Sequence, residues 1–310
     1  MKTTKRIISV LLAAVMLFAL SAPAFAVEAK NEKPFENSFF FEYEDLSIHY
    51  RVFKAENEKA KIFMIHGFAL SSYCWEELAT RLCDAGYTCV AADLPDFGYS
   101  SRETADSTLY PREDIMYALM MSISDEKWYV AGHSMGGYIT LALAQKYPES
   151  VKNIMLYGTA CNTGVPEFVT EMMNSDVLAP IMAKFMECMA HFDFIVKALL
   201  KVGLCDDEYA ESYDLSKVTE PLRIKGTGMG AIYSFTMLPE TDLEKVEKMS
   251  PILYVNGDKD FVIQEKDRMT LREHLPSGSV DVTVSGGGHM FIENLADETA
   301  KVTLDFLAEN

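Results

Sequence analysis

From about Phe35 onward the chain alternates short runs of apolar, β-branched and aromatic residues with longer stretches of helical period. The short runs are KIFMIH, YTCVAAD, KWYVAGH, NIMLYG, PILYVNG and VDVTVSG, each of strand length. Between them lie WEELATRLCDAG, PREDIMYALMMSI, YITLALAQKY, EKDRMTLREHL and NLADETAKVTLDFLAE, which have the length and periodicity of helices. A leading segment, FFFEYEDLSIHYRVF, reads as an antiparallel pair. Strand, helix, strand at this spacing predicts an α/β fold, a mostly parallel sheet with helices on both faces. Ligands of such sheets bind beyond the carboxyl ends of the strands.

One interval breaks the rhythm. Residues 162–237 contain no strand pattern but carry helical segments rich in Met and aromatics, VPEFVTEMM, APIMAKFMECMAHFDFIVKALLKVG and GMGAIYSFTML. They read as a helical cap inserted into a core made of residues 27–161 and 238–310. Most of Met172, Met173, Met182, Met186 and Met189 read as packing residues of that insertion, with some available to line a pocket. The first 26 residues differ again. Lys2, Lys5 and Arg6 precede the apolar IISVLLAAVMLFAL and the small-residue ending SAPAFA, the pattern of a secretory signal peptide cleaved after Ala26. The apolar run is shorter than the ~20 residues that span a bilayer. The expected location is therefore extracytoplasmic.

Charge narrows the partners. The chain has 28 basic and 46 acidic residues, a net of −18, and loss of the leader takes this to about −21. A phosphate backbone is repelled, so a small-molecule substrate is expected, with no nucleic acid and no stable membrane association after leader cleavage. The six cysteines include no C-x-x-C pair and His66 lacks an H-E-x-x-H context, so no metal or cofactor is expected and His66 reads as a structural loop residue. Export would permit disulfides, Cys188 with Cys205 being one of the pairings.

The chemistry concentrates in AGHSMGGY. Ser134 lies between Gly132 and Gly136, after a strand-like run and before a helical one, the arrangement of a nucleophile on a tight strand-to-helix turn. A hydroxyl needs a base. In SGGGHMFIEN, His289 follows a strand and a glycine-rich loop, and PILYVNGDKDFV supplies Asp258 and Asp260 after the preceding strand to orient the imidazole. One of the two holds the imidazole while the other shapes the turn.

Five motifs in order, IHGFALSSYCW, DLPDFGYSS, GHSMGGYITLALAQKYPESVKNIML, PILYVNGDKD and GGGHMFIEN, resemble the cap-bearing group of α/β-hydrolases. That group includes esterases, lactonases, C–C bond hydrolases, proline iminopeptidases and cofactor-free haloperoxidases. The resemblance covers the chain from about residue 38. It implies Ser134 as nucleophile, His289 as general base and acid, and Asp260 as orienting acid, because Gly257-Asp258-Lys259-Asp260 fits the family's G-x-x-D. It implies an oxyanion hole from the backbone N–H groups of Phe68 and Met135. The expected activity is a secreted serine esterase working through an acyl-enzyme. Iminopeptidase-like amide hydrolysis would call on acidic cap residues such as Glu187, Asp193, Asp206, Asp207 and Glu208. Perhydrolysis of the haloperoxidase type would use the same triad, and a non-catalytic small-molecule receptor is the reading from another class. Asp96 stands where relatives usually have glycine, which suggests a different turn or a surface carboxylate. ENLAD lacks the proline common after Glu-Asn.

Overall fold

The computed structural model describes residues 33–104, 107–161 and 167–310. The leader segment 1–26 lies outside the described residues. Eight strands form one sheet: β1 (Ser38–Tyr43), β2 (Leu46–Phe53), β3 (Ala60–Ile65), β4 (Tyr87–Ala92), β5 (Trp128–His133), β6 (Val151–Tyr157), β7 (Ile252–Gly257) and β8 (Val280–Val284). Their order is β1-β2-β4-β3-β5-β6-β7-β8. The β1–β2 hairpin and the β2–β4 pairing are antiparallel, and all pairs from β4 to β8 are parallel.

The central strands are buried on both faces, which is why they read as continuous apolar runs. Successive side chains still divide between two cores. Phe63 and Ile65 of β3 join Val90, Val130 and Leu156 beneath α2 (Arg112–Ile123) and α3 (Met135–Lys146). Ile62 and Met64 join Ala91, Tyr129 and Met155 on the other face, under α1 (Glu76–Asp84) and α13 (Ala296–Glu309).

Between β6 and β7 come α4 (Glu167–Met173), α5 (Leu178–Met189), α6 (Asp193–Leu204), α7 (Asp207–Ser212), α8 (Ser216–Leu222), α9 (Thr227–Thr236) and α10 (Leu243–Val246). After β7 follow α11 (Glu265–Arg272) and, beyond β8, α12 (Phe291–Asn294). Met173 packs with Ala179, Ala183 and Ile232 inside the helical excursion, and Met182 lies against them. Met186 reaches the sheet's core instead.

Three expectations need correction. The stretch 179–203 is two helices, because the chain turns at Ala190–Phe192. There Arg223 Nε caps the Ala190 carbonyl at 2.9 Å, and Asp193 occupies the first turn of the next helix. The helix after β5 starts at Met135, not Tyr138, so it follows Ser134 directly. The six cysteines are free. Cys205 Sγ faces the carbonyls of Val202 and Lys259 instead of Cys188. Among the described residues no helix is long and apolar enough to cross a membrane.

Candidate active site

Ser134 is the single residue between β5 and α3, with φ 51° and ψ −121°. A side chain at positive φ carries strain of about 1–3 kcal/mol. The neighbouring glycines make the turn possible. A Cβ on Gly132 would stand 2.6 Å from the Gly136 carbonyl oxygen, and one on Gly136 would stand 2.2 Å from that of Ile65. The Ser134 backbone is pinned by its own N–H to the Tyr157 carbonyl at 3.0 Å, while its carbonyl accepts Gly137 N–H and the Thr159 hydroxyl.

The hydroxyl meets the imidazole and the imidazole meets a carboxylate. Ser134 Oγ is 2.9 Å from His289 Nε2, and His289 Nδ1 is 2.9 Å from Asp260 Oδ2. The other Asp260 oxygen accepts the N–H groups of Val262 at 2.8 Å and Ile263 at 3.0 Å. Burial alone would raise the Asp260 carboxyl. The His289 hydrogen bond and charge, with the two amides, overcome it and hold the group below its ordinary range. Asp258, the competing candidate, is exposed, and its Oδ1 accepts the Gly286 amide at 2.7 Å, shaping the loop that leads to His289.

A residue that the motif reading passed over braces this geometry. His133 is fully buried, and its Nε2 lies 2.8 Å from the carbonyl oxygen of His289. Burial, then the neighbouring His289 charge, takes the His133 imidazole down to about 3. It is therefore neutral, with Nε2–H donating to that carbonyl. Its Nδ1 is buried without a hydrogen-bond partner among the described residues, close to Gly67, where a Cβ would stand 3.0 Å away. Only position x of G-x-S-x-G could have signalled this in the sequence.

Gly67 has no room for a side chain either, since a Cβ would lie 2.9 Å from Ser134 Cβ. Phe68 follows it in a turn whose shape His66 sets. The buried His66 accepts Leu94 N–H on Nε2 at 3.0 Å and faces the Gly67 carbonyl with Nδ1 at 2.6 Å, so both ring nitrogens are used structurally. The amides of Phe68 and Met135 donate no hydrogen bond among the described residues.

Asp96 is not a surface carboxylate. It sits fully buried at φ 74°, a left-handed conformation that glycine adopts without strain. One oxygen accepts Glu103 N–H at 2.7 Å and the other Arg112 Nη2 at 3.1 Å, while Arg112 also holds the buried Glu103 carboxylate. Burial first, then Glu103, pushes the Asp96 carboxyl up to about 7. Helix α9 crosses directly over it, a Cβ on Gly230 falling 2.3 Å from Asp96 Oδ1. Beside it Arg102 bonds Thr227 Oγ1 and the Pro221 carbonyl, so this loop is tied to the helical excursion at two places. Tyr213 makes a third tie, donating to buried Glu293 at 2.6 Å.

Between the excursion and the sheet lies a cavity of about 360 Å³, lined by Phe68, Phe97, Met186, Met189, Leu200 and Met290 among others. Of the acidic residues considered above, only Glu187 lines it. Asp193 pairs with Arg223, Asp206 caps α7, and Asp207 and Glu208 are exposed.

A second Ser-His-Asp relay lies elsewhere. Ser38 Oγ is 2.7 Å from His49 Nε2, and His49 Nδ1 is 2.7 Å from Asp93 Oδ2, with all three residues fully buried. Ser38 sits in an edge strand and its oxygen also accepts Phe35 N–H. None of the three residues lines the cavity described above, and all three have no solvent exposure.

The sequence profile of the alpha/beta hydrolase fold matches residues 62–294. The chain belongs to the α/β-hydrolase family. This hydrolase is 26% identical over 262 residues to Lipase 3 of Moraxella sp., covering 79% of the chain and 78% of that lipase. It is 28% identical over 234 residues to the dihydrolipoyllysine-residue acetyltransferase component of the acetoin cleaving system of Cupriavidus necator. The match there covers 74% of the hydrolase but 58% of that protein. In fold it is similar to the enol-lactonase of Burkholderia xenovorans LB400, with a TM-score of 0.71 and 19% identity over 87% of this chain and all of that one. At that identity the likeness concerns the fold alone.

Proposed function

We propose that this hydrolase is a secreted serine esterase that cleaves small or medium esters through an acyl-enzyme. The observation that carries the reading is the unbroken relay from Ser134 Oγ through His289 to Asp260, with Phe68 and Met290, the neighbours of Gly67 and His289, bordering an apolar cavity. In this reading His289 Nε2 takes the serine proton as Oγ attacks the ester carbonyl. The carbonyl's developing charge lies toward the amides of Phe68 and Met135. Asp260 holds Nδ1–H and stabilises the imidazolium. The alcohol leaves with the proton from Nε2, and water repeats the sequence to release the acid. Residues 162–237 act as a cap whose Met186 and Met189 contact the acyl chain.

Labelling with a fluorophosphonate, followed by turnover of p-nitrophenyl esters of increasing chain length, tests this. Ser134→Ala should abolish labelling and lower kcat by about a thousandfold or more while leaving the fold intact. Undiminished turnover in that variant removes Ser134 from the mechanism, and labelling without turnover of any ester favours a receptor.

A further inference from the structure

The cavity bordered by Phe68 and Met290, the residues that follow Gly67 and His289, is apolar except at one point. Among the described residues Glu187, on α5, is the only charged residue that lines it. Its Oε1 accepts the Gly228 amide at 3.1 Å, at the start of α9, so the carboxylate is fixed in place by a helix N-terminus. Among the described residues no lysine or arginine pairs with it. Arg223, which shares His191 with Glu187 as an electrostatic neighbour, is committed to Asp193 and to the Ala190 carbonyl. The second Glu187 oxygen accepts no hydrogen bond among the described residues.

The rest of the lining suits the same kind of guest. Phe68, Phe97 and Phe185 contribute aromatic rings, a residue type that attracts cations, and a chain of net charge −18 concentrates cations around itself. A hydrocarbon tail filling this space would strip water from the carboxylate without replacing it, and a tail ending in a carboxylate would be repelled. A tail ending in an ammonium group supplies a charge-assisted hydrogen bond.

Resting on the ester-hydrolase reading, we propose that Glu187 makes this enzyme selective for esters whose apolar acyl chain ends in a protonated amine. The methylene chain lies against the methionine and phenyl lining, and the ammonium bonds the free Glu187 oxygen. A purely structural Glu187, present only to cap α9, makes a different forecast. In Glu187→Gln the amide oxygen still accepts the Gly228 N–H, so the cap survives and only the charge is lost.

The test compares ethyl 6-aminohexanoate with ethyl heptanoate, which differ by an ammonium in place of the terminal methyl. The ratio of their kcat/KM values should fall at least about tenfold from the native enzyme to Glu187→Gln, through KM of the amino ester, which equals about 1.4 kcal/mol. Calorimetry on the native enzyme gives a second measurement that needs neither turnover nor a variant. Hexan-1-amine should bind about tenfold or more tightly than hexan-1-ol. An unchanged ester ratio in Glu187→Gln, or an amine that binds no better than the alcohol, overturns the proposal. Failure of the underlying esterase reading looks different: no fluorophosphonate labelling and no turnover of either ester, with the amine-against-alcohol comparison still deciding the role of Glu187.

Discussion

Replacing Asp260 by asparagine tests the relay where its hydrogen bonds leave least freedom. Asp260 Oδ1 accepts the amides of Val262 and Ile263. In Asp260→Asn the amide oxygen is held at that position, and the NH₂ group turns toward His289 Nδ1. A donor there makes Nδ1 the unprotonated nitrogen. The proton moves to Nε2, and the imidazole donates to Ser134 Oγ when it should accept from it. The opposite amide orientation would leave two backbone N–H groups without an acceptor, at about 1–3 kcal/mol each when buried, so it offers no escape. The imidazolium formed during attack also loses its counter-charge. A triad left in the wrong tautomer loses about ten-thousandfold in kcat, close to 5.4 kcal/mol at about 1.36 kcal/mol per power of ten. We expect Asp260→Asn to fall by about a thousandfold to ten-thousandfold on p-nitrophenyl butyrate. Asp258→Asn should cost less than about tenfold, because asparagine's oxygen can accept the Gly286 amide as Asp258 does. Far-UV circular dichroism and a thermal melt establish that both variants are folded. An Asp260→Asn enzyme within tenfold of the native rate, or greater damage from Asp258→Asn, refutes the assignment.

Three further outcomes follow from the same structure. His133→Phe keeps the ring's bulk but loses the donor to the His289 carbonyl, so kcat should drop by about one hydrogen bond's worth, roughly tenfold, with KM little changed; His133→Gln should recover part of it, and equal kcat in all three proteins would make the contact incidental. For Asp96, whose folded-state value of about 7 lies above that of the unfolded chain, the native fold holds a proton that the unfolded chain gives up. Its contribution is full at pH below about 4 and is lost as pH rises toward 7, at about 1.4 kcal/mol per pH unit for one proton. Asp96→Asn, which tolerates the left-handed backbone, should therefore gain stability relative to the native protein across that window, and a pH-independent difference in melting temperature would contradict the buried-carboxyl account. Ser38→Ala should destabilise by about 1–3 kcal/mol in urea unfolding, through loss of a buried hydrogen-bond partner, without lowering turnover or fluorophosphonate labelling.

The parts of this protein that sequence alone revealed share a physical cause, and so do the parts it hid. The runs that became β3 to β7 were legible because burial on both faces demands unbroken apolar stretches. Helices α7 and α8 were missed because six or seven residues give too little periodicity to register. The break at Ala190–Phe192 was invisible because no proline or glycine marks it; its carbonyl is capped by Arg223, a residue distant in sequence. At the site, Ser134 and His289 were legible because a turn that exposes a hydroxyl needs glycines at fixed spacing. Asp260 followed from family register. The roles of Asp96 and His133 depend on contacts across the fold, with Arg112 and Gly230 in one case and the His289 carbonyl in the other, and no local pattern encodes such contacts.

The two Ser-His-Asp relays show why hydrogen-bond distances alone do not identify a catalytic centre. The buried set is the tighter, at 2.7 Å for both bonds against 2.9 Å for both at Ser134. Ser38, however, lies in an extended strand, spends a lone pair on the Phe35 amide, and is sealed from solvent. Its relay joins β1, β2 and the loop after β4, where Asp93 also accepts the amides of Ser72 and Tyr99. The charge is thereby spent on holding backbone. At Ser134 a strained turn lifts the hydroxyl out of the sheet, with the amides of Phe68 and Met135 uncommitted among the described residues and an apolar cavity bordered by Phe68 and Met290. A substrate carbonyl can approach one oxygen and not the other. The difference in reactivity proposed for these two nearly identical relays therefore rests on the backbone that carries each serine, and that backbone is what the glycines of AGHSMGGY encode.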